Sequence, residues 1–244
     1  MNSHNKKANV LAYYLPQYHP IEENNRWWGE GFTEWNNVVK AKKLFRRHEQ
    51  PKIPGELGFY DLRVPEVRER QAELAKLAGI DAFCYWHYYF GNGKRLLELP
   101  IEKIYESKTP NFPFCLAWAN HSWYNKTWKS DFKNYSKRKL LIKQEHPGDE
   151  DADVHFNILL KLFKDDRYYK IKGKNVFVFN QAQKIKNITK LMSRWRQLAS
   201  INKIPDFYFI AHVFEKQNIS VLQKMNFDAI NLSLHHEPFN DMGL

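Results

Sequence analysis

Short apolar runs alternate along the chain with longer stretches in which apolar residues recur at helical spacing. The apolar runs predict strands at residues 10–14, 81–89, 114–119, 176–179, 207–213 and 229–234. The longer stretches predict a helix that begins at Pro65 and ends at Gly79, followed by helices near residues 96–107, 149–163, 188–199 and 216–225. Because such alternation is typical of βα units around a parallel sheet, we predict an α/β fold.

Two long segments interrupt this alternation, one after the first predicted strand and one over residues 120–145. Both are rich in tryptophan, and neither shows a regular apolar period. Connections of this length inside a compact domain are usually functional. We therefore expect the strand ends that precede them to carry the site.

The length of 244 residues fits one domain, so we predict a single domain over residues 1–244. About six strands are predicted, whereas a (β/α)8 barrel of the TIM type has eight. Because the chain stops in a loop-like stretch at residues 240–244, we expect a barrel that is incomplete at its C-terminus. An open doubly wound sheet is the alternative, but no G-x-G-x-x-G sequence follows the first strand.

The two cysteines, Cys84 and Cys115, lie inside apolar runs without the spacing of a metal site. We interpret them as buried free thiols of a reducing compartment and predict a cytoplasmic protein. The apolar run that follows Lys6 and Lys7 stops at Pro16, which is too short for a signal sequence or a membrane span. The sequence gives no indication of the oligomeric state.

Aromatic residues make up 16% of the chain, and the formal charge is +11. The charge fits either an anionic partner or lysine-rich solvated helix faces, and we favour the second because exposed lysine is common. Nucleic-acid binding is disfavoured because the cations lie mostly on predicted helices and the aromatic residues at strand ends. The aromatic surplus therefore points to a different ligand.

Aromatic, amide and imidazole side chains collect at the carboxyl ends of the predicted strands, which is the face that carries the site in barrel enzymes. The candidate substrate-binding residues are Tyr14, Gln17, Tyr18, His19, Trp28, Trp35, Tyr85, His87, Tyr88, Trp118, Asn120, His121, Trp123, Asn180, His212 and His236. Sugars stack their apolar faces on aromatic rings and bond their hydroxyls to polar side chains. We therefore predict a glycan site, with core packing as the alternative for any single ring.

Glu34 and Glu237 are the candidate catalytic carboxylates in this set, and the aromatic neighbours of Glu34 suit a general acid. Paired carboxylates of glycosidases stand roughly 5 to 10 Å apart. Nothing in the sequence places these two together, so we expect this chain to lack the pair by itself. Asp81 precedes a strand and is expected to be structural.

A metal site at His235, His236 and Glu237 is disfavoured because neighbours on a strand point to opposite faces. The sequence also contains no H-E-x-x-H motif. We therefore expect neither a metal nor another cofactor.

Several sequence strings resemble the WbsX-like proteins, a group similar in fold to glycoside hydrolase family 99. The matching strings are residues 12–20, 27–38, 57–63, 79–88, 94–98 and 112–120. The resemblance implies a (β/α)8 barrel of bacterial O-antigen or capsule metabolism, a glycosyltransferase by family name and an endo-glycosidase by fold. It also implies a glycan, oligosaccharide or nucleotide-sugar substrate.

The chain departs from the family pattern at two places. His121 stands where relatives carry a glutamate, and the family's Asn-Glu-Trp…Glu segment near the last strands is absent. These departures keep open a second interpretation, a non-catalytic glycan-binding remnant of such an enzyme.

Overall fold

The computed structural model describes residues 8–125, 139–214 and 216–233. They form two compact units. The first unit runs to Tyr85 and also includes Leu97–Phe112, and the second comprises Trp86–Leu96 and the residues from Pro113 onward. One strand passes from the first unit into the second at residues 85 and 86.

The described part of the first unit contains two parallel strands and four helices. Its elements are β1 (Leu11–Tyr14), α1 (Glu22–Trp28), α2 (Trp35–Val39), α3 (Pro65–Leu77), the first half of β2 (Ala82–Tyr89) and α4 (Leu99–Ser107). Leu11 pairs with Ala82 and Tyr14 with Tyr85.

Asp81 ties together the beginnings of β1 and β2. Its carboxylate accepts the N–H of Val10 at 2.6 Å, and its own N–H donates to the Val10 carbonyl at 2.8 Å. Two hydrogen bonds from one residue fix the register at the point where the pairing starts. Asp81 therefore has the structural role that the sequence predicts.

Helix α3 begins and ends as its sequence predicts. Pro65 occupies the first turn, where its missing N–H has no partner to lose. The helix ends before Gly79, whose φ of 79° lies in the left-handed region that glycine adopts without strain. Its buried side includes Ala72 and Ala75, which lets the helix pack closely.

The second unit contains the larger part of the sheet. Its further elements are β3 (Arg95–Leu96), β4 (Phe114–Trp118), β5 (Trp123–Tyr124), β6 (Leu140–Ile142), α5 (Asp149–Phe163), β7 (Lys170–Ile171), β8 (Lys174–Asn180), α6 (Ile188–Ile201), β9 (Phe207–Val213), α7 (Ile219–Leu222) and β10 (Ala229–Leu232). The strand order is β2, β4, β8, β9, β10, and the pairs from β4 to β10 are parallel.

This order confirms the predicted α/β class. The parallel strands follow one another in chain order, whereas a doubly wound sheet reverses its order at a switch point. Sequential parallel strands with intervening helices are the arrangement of a (β/α)8 barrel. The doubly wound alternative is therefore wrong for these strands.

Two predicted helices differ from the structure. The helix expected near residues 96–107 begins at Leu99, because Arg95 and Leu96 pair with β2 and Pro100 lies in the first turn. The stretch at residues 216–225 holds a 3₁₀ turn, Lys216–Asn218, and the single turn of α7. Among the described residues, no helix has both the length and the apolar composition that crossing a bilayer requires.

The main core of the second unit lies between the sheet and helices α5 and α6. Trp195 of α6 is fully buried, and its ring packs 4.9 Å from Phe177 and 5.6 Å from Phe207. Its indole N–H donates to the Ala152 carbonyl of α5 at 3.0 Å. Cys84 and Cys115 are buried free thiols in their respective units, as predicted.

These contacts define two faces of the sheet, because side chains alternate along each strand. We call the side that packs against α5 and α6 the helix face, and Phe177 and Phe179 of β8 belong to it. We call the opposite side the lumen face, since it corresponds to the interior of a (β/α)8 barrel. The lumen face includes Trp86, Tyr88, Ala117, Ala119, Val178, Asn180, Ile210, His212 and Asn231.

Candidate functional site

Three polar residues form a row across the lumen face. Asn180 of β8 pairs in register with His212 of β9, and His212 pairs with Asn231 of β10. The Asn231 amide nitrogen lies 3.2 Å from Nδ1 of His212. Because parallel strands lie about 4.8 Å apart, the three side chains stand next to one another. All three occupy the carboxyl ends of their strands.

Trp86 of β2 lies against this polar row. Its ring is 6.1 Å from the His212 ring, in an edge-to-face arrangement. Three steps of about 4.8 Å separate β2 from β9 along a flat sheet, so this contact requires the sheet to curve toward its lumen face. Strand β4, which lies next to β2 on this path, has the small side chains of Cys115 and Ala117 on this face and is followed by Ala119.

Two asparagines at this edge keep polar atoms without a protein partner. Asn120, two residues after the end of β4, is 4% exposed, and Asn180 is 5% exposed. Within the described residues, neither Oδ1 nor Nδ2 of Asn120 has a hydrogen-bond partner, and Oδ1 of Asn180 has none. An unsatisfied buried amide costs about 1 to 3 kcal/mol, so such atoms are expected where water or a ligand completes the bonding.

An aromatic pair lies beside this group. The ring of Tyr88 on β2 meets the ring of Trp123 on β5 at 5.1 Å and 78°, and Phe90 also contacts Trp123. Tyr88 is buried and Trp123 is partly exposed. His121 is exposed between the two strands, and its N–H donates to the Ala119 carbonyl.

His87 and Trp118 lie on the helix face instead of in the predicted cleft. Nε2 of His87 is 2.8 Å from Nε2 of His155 on α5. The indole N–H of Trp118 donates to the Tyr89 carbonyl at 2.8 Å. Strand alternation explains the difference, because residues 87 and 118 point away from the side that carries Trp86 and Asn180.

Burial makes the two paired histidines poor bases. It lowers the pKa of His87 to about 3, and the nearby guanidinium of Arg95 acts in the same direction. Burial also holds the pKa of His155 well below its ordinary value. Two neutral imidazoles can form a hydrogen bond with each other, since one ring donates and the other accepts.

Tyr14 and Tyr85 also pack toward helices, within the first unit. Their rings lie 4.3 Å apart, and the Tyr14 hydroxyl donates to Oε1 of Gln71 on α3 at 2.6 Å. Burial raises the pKa of Tyr14 well above its ordinary value, and the neighbouring Tyr85 adds to the effect. This tyrosine therefore stays neutral and serves packing between β1 and α3.

A second cluster in the first unit contains Gln17, Tyr18, Glu34 and Trp35. The Tyr18 ring lies 4.6 Å from the Trp35 ring, whose indole N–H donates to the Tyr60 carbonyl. The N–H of Glu34 donates to the Gln17 carbonyl, and its carboxylate accepts from the Asn37 amide at 2.9 Å. Burial raises the pKa of Tyr18, and the Glu34 carboxylate raises it further.

His19 and Trp28 complete the predicted residues of the first unit. His19 is fully buried, and burial lowers its pKa although the Asp61 carboxylate works in the opposite direction. Trp28 is 37% exposed and lies 5.9 Å from the Phe32 ring. Both residues belong to the long segment between β1 and α3.

His235, His236 and Glu237 lie outside the described residues. No separation between Glu34 and Glu237 follows from the structure. Among residues 8–125, 139–214 and 216–233, no group of three or more His, Cys, Asp or Glu side chains could hold a metal ion.

Trp86 and Asn231 join the lumen face although the sequence-based candidates omit them. Trp86 directly precedes His87, and Asn231 lies opposite His212 in the register. The available signal is the two-residue alternation, which separates Trp86 and Tyr88 from Tyr85 and His87.

A sequence model of the glycosyltransferase WbsX family matches residues 10–242 of this chain. The chain belongs to the WbsX family. The WxcX proteins of Xanthomonas campestris pv. campestris strains B100 and ATCC 33913 are 37% identical to it over 201 residues. The match covers 82% of this chain and 28% of those proteins, so this chain spans little more than a quarter of their length.

Two solved structures share the fold of this WbsX-family chain. The endo-α-mannosidase of glycoside hydrolase family 99 from Bacteroides thetaiotaomicron, in complex with Bis-Tris propane, has a TM-score of 0.53 at 12% identity over 91% of this chain and 57% of that one. A glycoside hydrolase-like protein has a TM-score of 0.51 at 16% identity, over 86% and 53% of the two chains. These likenesses confirm a fold of the (β/α)8 type, of which the described residues contain six strands.

Proposed function

We propose that this WbsX-family chain binds a glycan on the lumen face of its second unit. The observation that carries the proposal is the group formed by Trp86 and the row Asn180, His212 and Asn231. An indole ring can stack on the apolar face of a sugar, while the amides and the imidazole bond to hydroxyls. The unsatisfied atoms of Asn120 and Asn180 supply further bonding capacity.

Membership of a carbohydrate-active family supports a glycan over other ligands of the same polarity. A role in O-antigen or capsule metabolism, with an oligosaccharide or nucleotide-sugar substrate, is our proposal for the whole protein. Since a solved structure with this fold is described as an endo-α-mannosidase, α-mannose oligosaccharides are the first ligands to test.

The binding test uses intrinsic tryptophan fluorescence during titration with an α-mannose oligosaccharide. We expect a saturable change in the natural chain and in Trp195→Phe, whose altered ring lies in the core. The change should largely disappear in Trp86→Phe. A flat titration with folded protein, or an equal change in Trp86→Phe, would contradict the proposal.

Whether this chain also catalyses a reaction is a second proposal. None of the lumen-face residues named above is a carboxylate, whereas glycosidic bond cleavage normally uses two. Glu34 and Glu237 are our proposed catalytic residues, and the alternative is a glycan-binding protein without activity. Turnover of an activated aryl mannoside that falls about 10²-fold or more in Glu34→Gln favours the enzyme, and saturable binding without turnover favours the alternative.

A further inference from the structure

A tight turn in the first unit follows helix α2 and covers residues 40–48. The Leu44 N–H donates to Nδ1 of His48 at 3.2 Å, and the His48 N–H donates to the Phe45 carbonyl at 3.1 Å. The Phe45 ring stacks on the His48 ring at 4.5 Å and 6°. These contacts hold Leu44 and Phe45 at the tip of the turn, which we call the basic turn.

The tip of the basic turn is apolar and exposed. Leu44 is 82% exposed and Phe45 is 67% exposed, more than any other leucine or phenylalanine in the described part of the chain. Large apolar side chains are usually exposed singly, and two neighbours held outward by their own turn need another explanation.

Positive charge surrounds this apolar tip. The basic turn contains five exposed cations, Lys40, Lys42, Lys43, Arg46 and Arg47. Within the described part of the chain, no salt bridge to a carboxylate engages any of the five. The sequence has no acidic residue from Trp35 through His48. An anionic surface facing these five cations would lower their mutual repulsion.

We propose that the basic turn docks on the surface of an anionic lipid bilayer. The five cations would lie among the lipid phosphates, and Leu44 and Phe45 would enter the region between headgroups and acyl chains. This inference is independent of the proposed glycan site.

An acidic glycan or a nucleic acid fits the same cations less well. Both are polar along their length and offer no apolar phase for the leucine side chain. Phe45 already stacks on His48, so one of its ring faces is not available to a base. A bilayer is the anionic surface that takes up both the charges and the apolar tip.

The expected attachment is weak and reversible. Each basic residue near an anionic membrane contributes about a fivefold gain in partitioning, and salt screens that gain. Burial of two apolar side chains adds at least about tenfold. One short turn therefore supports transient docking of the kind that needs a second signal to become stable.

The experiment is sedimentation of the full chain with vesicles of phosphatidylcholine alone or mixed with phosphatidylglycerol. The test variants are Leu44→Ser with Phe45→Ser, and Lys42→Glu with Lys43→Glu. The apolar control is Leu77→Ser with Ile201→Ser, since these residues are 80% and 69% exposed. The charge control is Lys76→Glu with Lys164→Glu, which changes the net charge equally at exposed positions elsewhere. Circular dichroism checks that each variant is folded.

We expect the chain to bind the anionic vesicles only, and we expect salt to weaken that binding. Partitioning onto the vesicles should fall by at least about tenfold in both test variants and stay unchanged in both controls. Equal loss in the controls, or unchanged binding in the test variants, would overturn the proposal. So would the absence of vesicle binding together with salt-sensitive binding to a soluble acidic polysaccharide that persists in Leu44→Ser with Phe45→Ser.

Discussion

The two faces of the sheet in the second unit carry similar residue types in different bonding situations. On the helix face, His87 pairs with His155, and Trp118 donates to the Tyr89 carbonyl. On the lumen face, Asn180 keeps a buried oxygen without a partner within the described residues. The aromatic and amide composition alone therefore does not distinguish packing from binding.

Unsatisfied polar groups are costly on either face. A partnered polar group in a core adds modestly to stability, whereas an unsatisfied one costs about 1 to 3 kcal/mol. A fold tolerates that cost where a bound molecule or water completes the hydrogen bonds. Unsatisfied atoms alone do not separate the two faces, because Oδ1 of Asn175 on the helix face also has no partner within the described residues. Position distinguishes them, since Asn180 lies in a row with His212 and Asn231, and we propose ligand binding for that face.

Among the variants that test the difference between the two faces, Trp195→Ala should have the largest effect on stability. Removal of this fully buried ring should lower the free energy of unfolding by about 3 to 5 kcal/mol, because it leaves a cavity and removes the indole hydrogen bond to the Ala152 carbonyl. Denaturant unfolding measures the loss, and Trp195→Phe is the control that retains most of the volume. If the free energy of unfolding fell by the same small amount in both variants, the aromatic core would not be the source of stability.

The next effect is a pH dependence that originates on the helix face. Because the pKa of folded His87 is about 3 and an unfolded histidine titrates near 6.5, its contribution is complete above pH 6.5 and is lost as the pH falls toward 3. At pH 5 the loss is about 2 kcal/mol for this one residue. Denaturant unfolding at pH 8 and at pH 5 measures how much the free energy of unfolding falls between them. This fall should be smaller in His87→Gln than in the natural chain, by the same amount. An unchanged pH dependence in this variant would mean that the buried pair is not neutral.

The strand pattern was predictable because it is local. Apolar runs gave six parallel strands close to their observed bounds, and Pro65 and Gly79 marked the ends of α3. The start of α4 at Leu99 was less predictable, because the pairing of Arg95 and Leu96 with β2 is a tertiary contact. Periodicity within a helix carries no information about such a contact.

The candidate site was only partly predictable for a related reason. Position at a strand end identified Asn120, Asn180 and His212, but the side of the sheet depends on the two-residue alternation. Adjacent residues such as Trp86 and His87 consequently have opposite environments, one toward His212 and the other toward His155. The register that brings Asn231 beside His212 comes from strand pairing and has no local sequence signal.

The assignment of binding to the lumen face is tested most directly by two asparagines on the same strand. Asn175 of β8 is fully buried on the helix face, where its Nδ2 donates to the Phe163 carbonyl at 3.1 Å and its Oδ1 has no partner within the described residues. Asn180 faces the lumen, beside His212 in the strand register. The measurement is the affinity of Asn175→Ala and Asn180→Ala for an α-mannose oligosaccharide, by calorimetry, alongside denaturant unfolding. We expect Asn180→Ala to weaken binding by about tenfold with little loss of stability, and Asn175→Ala to keep its affinity while losing about 1 to 3 kcal/mol. Equal affinities in the two variants, or weaker binding in Asn175→Ala than in Asn180→Ala, would contradict the division between the two faces.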